Sequence, residues 1–282
     1  MSEITAEYLN KLNQQRLNLI DVVNNIVDVS DRLDNTATLD GVVKRLQTID
    51  NYSLLRNYIE PNTINPESDW AINDVDGRFK VIRDSAFLNH TGLESVLFGK
   101  LEILNNSAFK GCSSLRKVKI DGQLTIQGGN NFYGCSSLSS ASFPHVNKIH
   151  TLSLFTGCKS LKSVTFNRAG KLSMTASAAY RAYGNCDNLQ ALIFPSKDSL
   201  TTIDKENKNE INANSNIYCY VPSSLLESYR ADKQWSAVNS VRPIRTLEGY
   251  DFEDGRYTNN RDYLINVLGA DLADYQLEGV SE

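Results

Sequence analysis

The chain has 282 residues, 41% of them hydrophobic and 22% charged, and carries a formal net charge of −4. That length holds two or three domains, and that charge excludes bulk attraction to nucleic acid or to an anionic membrane. No apolar run reaches the roughly 18 residues of a transmembrane helix. The start, Met1 to Glu7, shows neither a basic n-region nor a short apolar core, so neither a secretory signal nor a membrane partner is expected.

Residues 1–52 read as a helical oligomerisation or docking segment. Over 4–33, Leu9, Leu12, Val23, Ile26 and Leu33 fall on an a/d heptad frame, with Leu19 also at d. Arg16 and Ser30 interrupt the a positions. The stripe fits a coiled-coil seam, with a trimer favoured because the flanking Asn and Gln residues offer little e/g ion pairing. It equally fits an amphipathic helix packed on its own successor. That successor runs from about Leu39 to Ile49, with Thr38 as N-cap and Leu39, Val42, Val43, Leu46 and Ile49 on one face. The two-helix unit, ending Thr38-Leu-Asp-Gly-Val-Val-Lys-Arg-Leu-Gln-Thr-Ile49, resembles the N-terminal segment of bacteriophage tail and baseplate proteins.

Residues 53–78 read as a connector, punctuated by Pro61, Pro66 and Gly77. Asn73-Asp-Val-Asp-Gly77 opens like a calcium loop. The acidic residue that closes a twelve-residue EF-hand loop is missing, so a turn is expected.

Residues 79–222 contain an internal repeat. Phe109-Lys-Gly-Cys112-Ser-Ser-Leu115-Arg-Lys-Val118-Lys-Ile120 returns as Phe132 to Phe143, Phe155 to Phe166 and Tyr183 to Phe194, with a weaker copy from Phe87 to Phe98. The first aromatic recurs after 22, 23, 23 and 28 residues. A unit this short cannot bury its apolar face alone, whereas stacked copies can. The last three residues of each unit alternate, which predicts a short strand with its outer two residues inward. Gly111, Gly134 and Gly157 are expected at φ > 0. Cys112, Cys135, Cys158 and Cys186 share one repeat position. They should stack as small buried residues, although a bridge between rungs is conceivable; no Cys-x-x-Cys pair suggests zinc.

The Phe-x-Gly-Cys-x-Ser-Leu-x-x-Val-x-Phe pattern resembles the BspA-like leucine-rich repeats of bacterial and phage surface proteins. The resemblance implies a right-handed solenoid of parallel strands used for binding, with no chemistry. The fold class expected is therefore α+β: an N-terminal helical, coiled-coil-like segment, a leucine-rich-repeat solenoid with short parallel strands, and a C-terminal capping helix.

Lys171 to Arg181 reads as an insertion that lengthens the fourth spacing. Asp198 to Asn216 reads as a polar loop or an irregular final repeat around Ile203, and Ile217 to Val221 as the last strand. Residues 223–244 are expected to cap the solenoid, with Ser224 and Glu227 as a capping box and Trp235 as a plug. Residues 245–282 carry too many large apolar side chains for a free tail. They read as a docking segment onto another subunit or back onto the connector, with a short helix within Arg261 to Tyr275.

His90 replaces the cysteine of the weak repeat. His145 and His150 have no carboxylate or cysteine at a spacing that suggests a metal or a nucleophile dyad. No phosphate loop, dinucleotide fingerprint or nucleophile elbow occurs, so neither enzyme activity nor a cofactor or metal is expected. The remaining candidate is the outward face of the strands, with Leu97, Lys117, Lys119, Ser142, Thr165 and Ile193 lining it. It suits host cell-wall carbohydrate or teichoic phosphate, or is simply a solvated sheet. The expected role is a structural protein of a bacteriophage virion, in the tail, baseplate or a head fibre. It would oligomerise through Leu9, Leu12, Leu19, Val23 and Ile26, contact other virion proteins, and serve host attachment. The alternative is a bacterial cell-surface adhesin.

Overall fold

The computed structural model describes residues 58–59, 70–77, 79–166, 171–174, 182–203, 205–214, 216–251, 256–272 and 275–277. The helices expected over 4–33 and 39–49 lie outside the described residues. So do Leu9, Leu12, Leu19, Val23 and Ile26.

Every repeat contributes two strands, one to each of two parallel sheets. The first sheet has eight strands: β2 (Trp70–Asp74), β4 (Leu93–Phe98), β6 (Lys117–Ile120), β8 (Ser140–Phe143), β10 (Ser163–Phe166), β12 (Ala191–Ile193), β14 (Tyr218–Val221) and β15 (Arg245–Thr246). The second has seven: β1 (Tyr58–Ile59), β3 (Val81–Ile82), β5 (Ile103–Leu104), β7 (Leu124–Gly129), β9 (Val146–Leu152), β11 (Lys171–Met174) and β13 (Thr202–Ile203). Strands of the first sheet carry the repeat's Leu-x-x-Val-x-Phe tail, and their registers match the sequence repeat: Lys117 lies beside Ser140, Val118 beside Ala141 and Lys119 beside Ser142. As the alternation predicts, Val118 and Ile120 are buried while Lys117 is exposed.

Three expectations are corrected here. The first sheet begins at Trp70, inside the expected connector, and ends at Thr246, beyond the expected cap. Lys171–Met174 is not part of a projecting insertion; it is a strand paired with β9 and β13. Of the two readings of Asp198 to Asn216 the loop is overturned: the segment forms β13 around Ile203, as an irregular final repeat would, and then helix α1 (Lys205–Ala213), which was not expected. Asn73 to Gly77 does make a turn, with Gly77 at φ 74° and its amide donating to the Asp74 carbonyl.

The core is a column of rings. Phe87 stacks on Phe109 at 4.9 Å, Phe109 on Phe132 at 5.4 Å, and Phe132 on Phe155 at 5.5 Å, with interplanar angles of 4°, 3° and 11°. Tyr183 continues the column 6.1 Å beyond Phe155. The spacing follows the separation of hydrogen-bonded strands, about 4.8 Å, loosened slightly by ring contact. A second column runs through Phe143, Phe166 and Phe194 at 5.7 and 5.9 Å.

The cysteines make a ladder of hydrogen bonds. Cys112 Sγ donates to the carbonyl of Phe87 at 3.0 Å. Cys135 reaches Phe109, Cys158 reaches Phe132 and Cys186 reaches Phe155, all between 2.9 and 3.1 Å. All five cysteines are free and buried. Burial pushes the thiols of Cys112 and Cys135 well above their usual range, and that of Cys219 up to about 12.

The predicted left-handed turn occurs at Gly111, Gly134 and Gly157, with φ of 76°, 73° and 80°. In the outer copies Asn89 and Asn185 fill the same position at 57° and 54°. Asparagine tolerates this conformation better than other side-chain-bearing residues do.

A cap closes the last coil. A 3-10 turn (Ser223–Leu225) leads into α2 (Leu226–Ala231) and then α3 (Lys233–Val241). No side chain caps the first two elements, so the expected box of Ser224 and Glu227 is not formed; Glu227 instead pairs with Arg230. Asp232 is the true cap, accepting from the amides of Gln234 and Trp235. Trp235 is fully buried, 5.1 Å from the Phe194 ring, and its indole N–H donates to the Thr201 carbonyl at 2.6 Å. It plugs the second ring column.

Two pairs of substitutions test this core. Phe132→Ala should cost about 3–5 kcal/mol in urea unfolding, whereas Tyr133→Ala next door, on the surface, should cost less than about 1 kcal/mol. Gly134→Ala places a Cβ no nearer than 4.0 Å to any atom, so its cost is backbone strain alone, about 1–2 kcal/mol. Gly111→Ala, whose Cβ meets Asn89 Oδ1 at 2.2 Å, should cost more in the same measurement.

Candidate binding site

Outward-pointing residues of the first sheet form two rows. One runs Leu97, Lys119, Ser142, Thr165, Ile193, Tyr220, and the other Ser95, Lys117, Ser140, Ser163, Ala191, Tyr218. On β8, β10 and at Ala191 these side chains are small. They leave a shallow trough where larger residues would stand up from the sheet.

The C-terminal segment fills that trough. Helix α4 (Asn260–Leu268) is capped by Asn259, which accepts from the Asp262 amide, and stops at Gly269 in the left-handed conformation, φ 68°. Leu264, Leu268, Ala270, Leu272 and Tyr275 pack on Ala191, Ile193 and Tyr220 in a core of their own. Ser163 Oγ donates to the Leu268 carbonyl at 3.0 Å. Asp271 accepts from Ser142 Oγ at 2.9 Å and pairs with Lys119 Nζ at 2.9 Å. Arg261 holds the Tyr275 carbonyl, and the Tyr275 hydroxyl donates to Glu248. The segment expected to dock on another subunit or on the connector therefore lies on the repeat sheet of its own chain, where small outward residues meet an apolar strap.

This changes the candidate face. Ser142, Thr165 and Ile193 are buried under the strap, and Lys119 is held by Asp271. Only Leu97, half-buried, and Lys117, exposed, remain on the open strands. At the other end, Arg245 lies 3.6 Å over the Tyr218 ring and donates to the Tyr220 hydroxyl. Burial pushes that phenol up to about 12.

Where the strap crosses the carboxyl ends of the strands, a cavity of ≈ 540 Å³ opens. Its lining includes Lys119, Asp121, Ser142, Pro144, His145, Thr165, Ser196, Lys197, Asp198 and, from the strap, Asp271, Leu272 and Tyr275. His145 Nδ1 meets Asp121 Oδ1 at 2.5 Å. No carboxylate was expected beside His145 from spacing. The partner sits one coil back in sequence and next door in space. Lys197 Nζ donates to the Gln276 carbonyl at 2.7 Å and lies 4.8 Å over the Tyr275 ring. Thr165 Oγ1 and Ser196 Oγ are buried with no hydrogen-bond partner among the described residues. Strand β9 contains His150. His90 is buried against Phe87 at the cysteine position, as a structural residue would be. Among the described residues no group of His, Cys, Asp and Glu could hold a metal ion. None of their helices is long and apolar enough to cross a membrane.

Residues 80–213 match the BspA type leucine rich repeat region, in six copies. That stretch, just under half of the chain, is similar to this repeat type. Among solved structures, the leucine rich repeat protein of T. pallidum is similar at 18% identity and a TM-score of 0.35, over 55% of this chain and 78% of that chain. No curated protein matches this chain. The matched region starts at Lys80, after β2, and stops at Ala213, the end of α1, so the cap and strap lie outside it.

Removing the Asp271 carboxylate should loosen the strap. Asp271→Ala deletes one ion pair and one hydrogen bond, together about 1–2 kcal/mol. Hydrogen exchange at Leu264 and Leu268 should accelerate roughly tenfold, with the Phe column amides unchanged.

Proposed function

We propose that this chain is a non-enzymatic structural protein of a bacteriophage virion, in the tail, baseplate or a head fibre, that presents a BspA-type repeat domain for binding. The observation that carries the binding role is the division of the outer sheet face. Its far half is sealed by the strap, while Ser95, Leu97 and Lys117 stay accessible on the near strands. A protein or host surface meets one apolar and one basic rung there. The virion assignment is supported by the heptad stripe through Leu9, Leu12, Leu19, Val23 and Ile26 and by the likeness of that segment to tail and baseplate proteins. A trimeric seam would give the repeats a fixed attachment and present three copies together, multiplying weak contacts into avidity.

Chemistry is not part of this reading. The thiols point into the core as hydrogen-bond donors, with burial holding Cys112, Cys135 and Cys219 protonated, and His145 is bound to Asp121. Neither arrangement supplies an activated nucleophile.

Mass spectrometry of purified virions from the source strain should find this chain at a copy number divisible by three. Its recovery from the cell-wall fraction, with none in virions, would sink the proposal in favour of a bacterial surface adhesin.

A further inference from the structure

The residues that lead from each cysteine into its strand form a rim along the amino ends of the first sheet. Main-chain hydrogen bonds join this rim from coil to coil. The Arg116 amide donates to the Glu94 carbonyl, Ser139 to Arg116, Lys162 to Ser139 and Gln190 to Lys162. A second row runs beside the first, with the Ser137 amide donating to the Ser113 carbonyl and Ser160 to Ser136. Each step is one rung of about 4.8 Å, so the main chain at Arg116 and at Lys162 stands about 10 Å apart along the stack.

Four cations share this rim, Arg116, Lys117, Lys159 and Lys162, and all four are exposed with the strap docked. Lys119 and Lys197 are tied to the strap, whereas none of these four is held by a carboxylate or a carbonyl among the described residues. Glu94 and Asp187 stand one coil beyond on either side, so the cationic run covers the coils of Cys112, Cys135 and Cys158. The chain as a whole is acidic, with a net charge of −4, so this run is not the overflow of a basic composition. Like charges within about a Debye length of one another repel, and an anion laid among them relieves that repulsion.

Between the cations stand accessible hydroxyls. Ser113, Ser137 and Ser160 are half-buried, and their hydroxyls have no hydrogen-bond partner among the described residues. Each can donate to an anionic oxygen or accept from a hydroxyl. The charges are strung along the stack and not gathered round one point, which suits an extended chain over a single small anion. No aromatic ring stands among these rim positions to stack a base, which disfavours a nucleic acid. We infer that this rim binds a linear polyanion with hydroxyls between its charges, a polyuronate or a polyol phosphate, laid across three coils. The inference rests on the reading of the repeats as a binding module and names the class of partner that one part of that module takes.

Fluorescence anisotropy on the full chain tests it. The probes are end-labelled oligomers of alginate and of poly(glycerol phosphate), which separate the two sources of charge. Neutral dextran and single-stranded DNA of matched length serve as comparisons. At least one polyanion should bind, and raising salt from about 50 to about 200 mM should weaken it roughly tenfold or more, as the release of several counterions requires. The Arg116→Gln, Lys162→Gln double variant should lose roughly tenfold in affinity at unchanged Tm, because both side chains are exposed and their rung contacts are main-chain. Removing two exposed charges elsewhere, with Lys205→Gln and Lys233→Gln, should alter binding by less than about twofold. Binding of neither polyanion, equal losses in the two double variants, equal binding of dextran, or tighter binding of DNA would overturn the proposal. A chain present in virions that binds neither polyanion would overturn the ligand and leave the virion assignment standing. A chain absent from virions that binds as expected would do the reverse.

Discussion

The carbonyl of Phe109 accepts a hydrogen bond from the Cys135 thiol, its amide donates to the Asn131 carbonyl, and its ring stacks on Phe132. All three interactions reach into the next coil. A single coil can therefore satisfy neither its backbone nor its apolar interior, and the stack is the smallest stable object. The same dependence explains the end of the array. The last coil presents the Phe194 ring and an open sheet edge, and Trp235, Tyr229 and β15 close them. It also explains why four cysteines occupy one position. The site needs a small, soft group that fills apolar space and still donates one hydrogen bond backward, which alanine could not do.

The strap obeys the same logic on a different surface. Serine, threonine and alanine on β8, β10 and at Ala191 cannot cover their own sheet, and an apolar helix cannot remain in water. Each solves the other's problem, and the buried polar atoms are matched where the two meet: Ser163 to the Leu268 carbonyl, Ser142 to Asp271. Lys119 marks the boundary. Lys117 on the same strand and Leu97 one strand earlier stand clear of the strap, which leaves that part of the face free for something other than this chain.

How much of this was legible follows from which interactions are local in sequence. The Phe-to-Phe repeat, the buried Val118 and Ile120, and the left-handed glycines were readable because each is a short pattern repeated in register. The second strand of each coil was not: Ile103–Leu104 and Thr202–Ile203 are two residues long, too short to show alternation. Helix α1 was missed because Lys205–Ala213 is almost wholly polar, with Ile211 its buried apolar anchor. Asp232 was missed as a cap because Ser224 and Glu227 matched a familiar spacing nearby. For the tail, composition predicted docking, but its seat required seeing that the small outward residues of three coils lie side by side. Asp121 and His145 were invisible as a pair for the same reason. Their spacing of 24 residues means adjacency only once the coil length is known to be 23.

That last case explains where a repeat protein can place a specific site. Inside the coils every position answers to the same position one rung away, so Phe, Cys and Leu are held by the stack and carry no individual meaning. At the carboxyl ends of the strands the ladder stops. Equivalent positions there hold Ile120-Asp121 in one coil, Phe143-Pro144 in the next and Phe194-Pro195 further on. The stack tolerates this divergence because the backbone hydrogen bonds between coils do not depend on which side chains stand there. Rungs then bring the divergent residues within a few ångströms of one another, and the strap roofs them. A cavity made this way combines rigid walls with a composition free to vary, which is the condition a recognition site needs and a solenoid interior cannot meet.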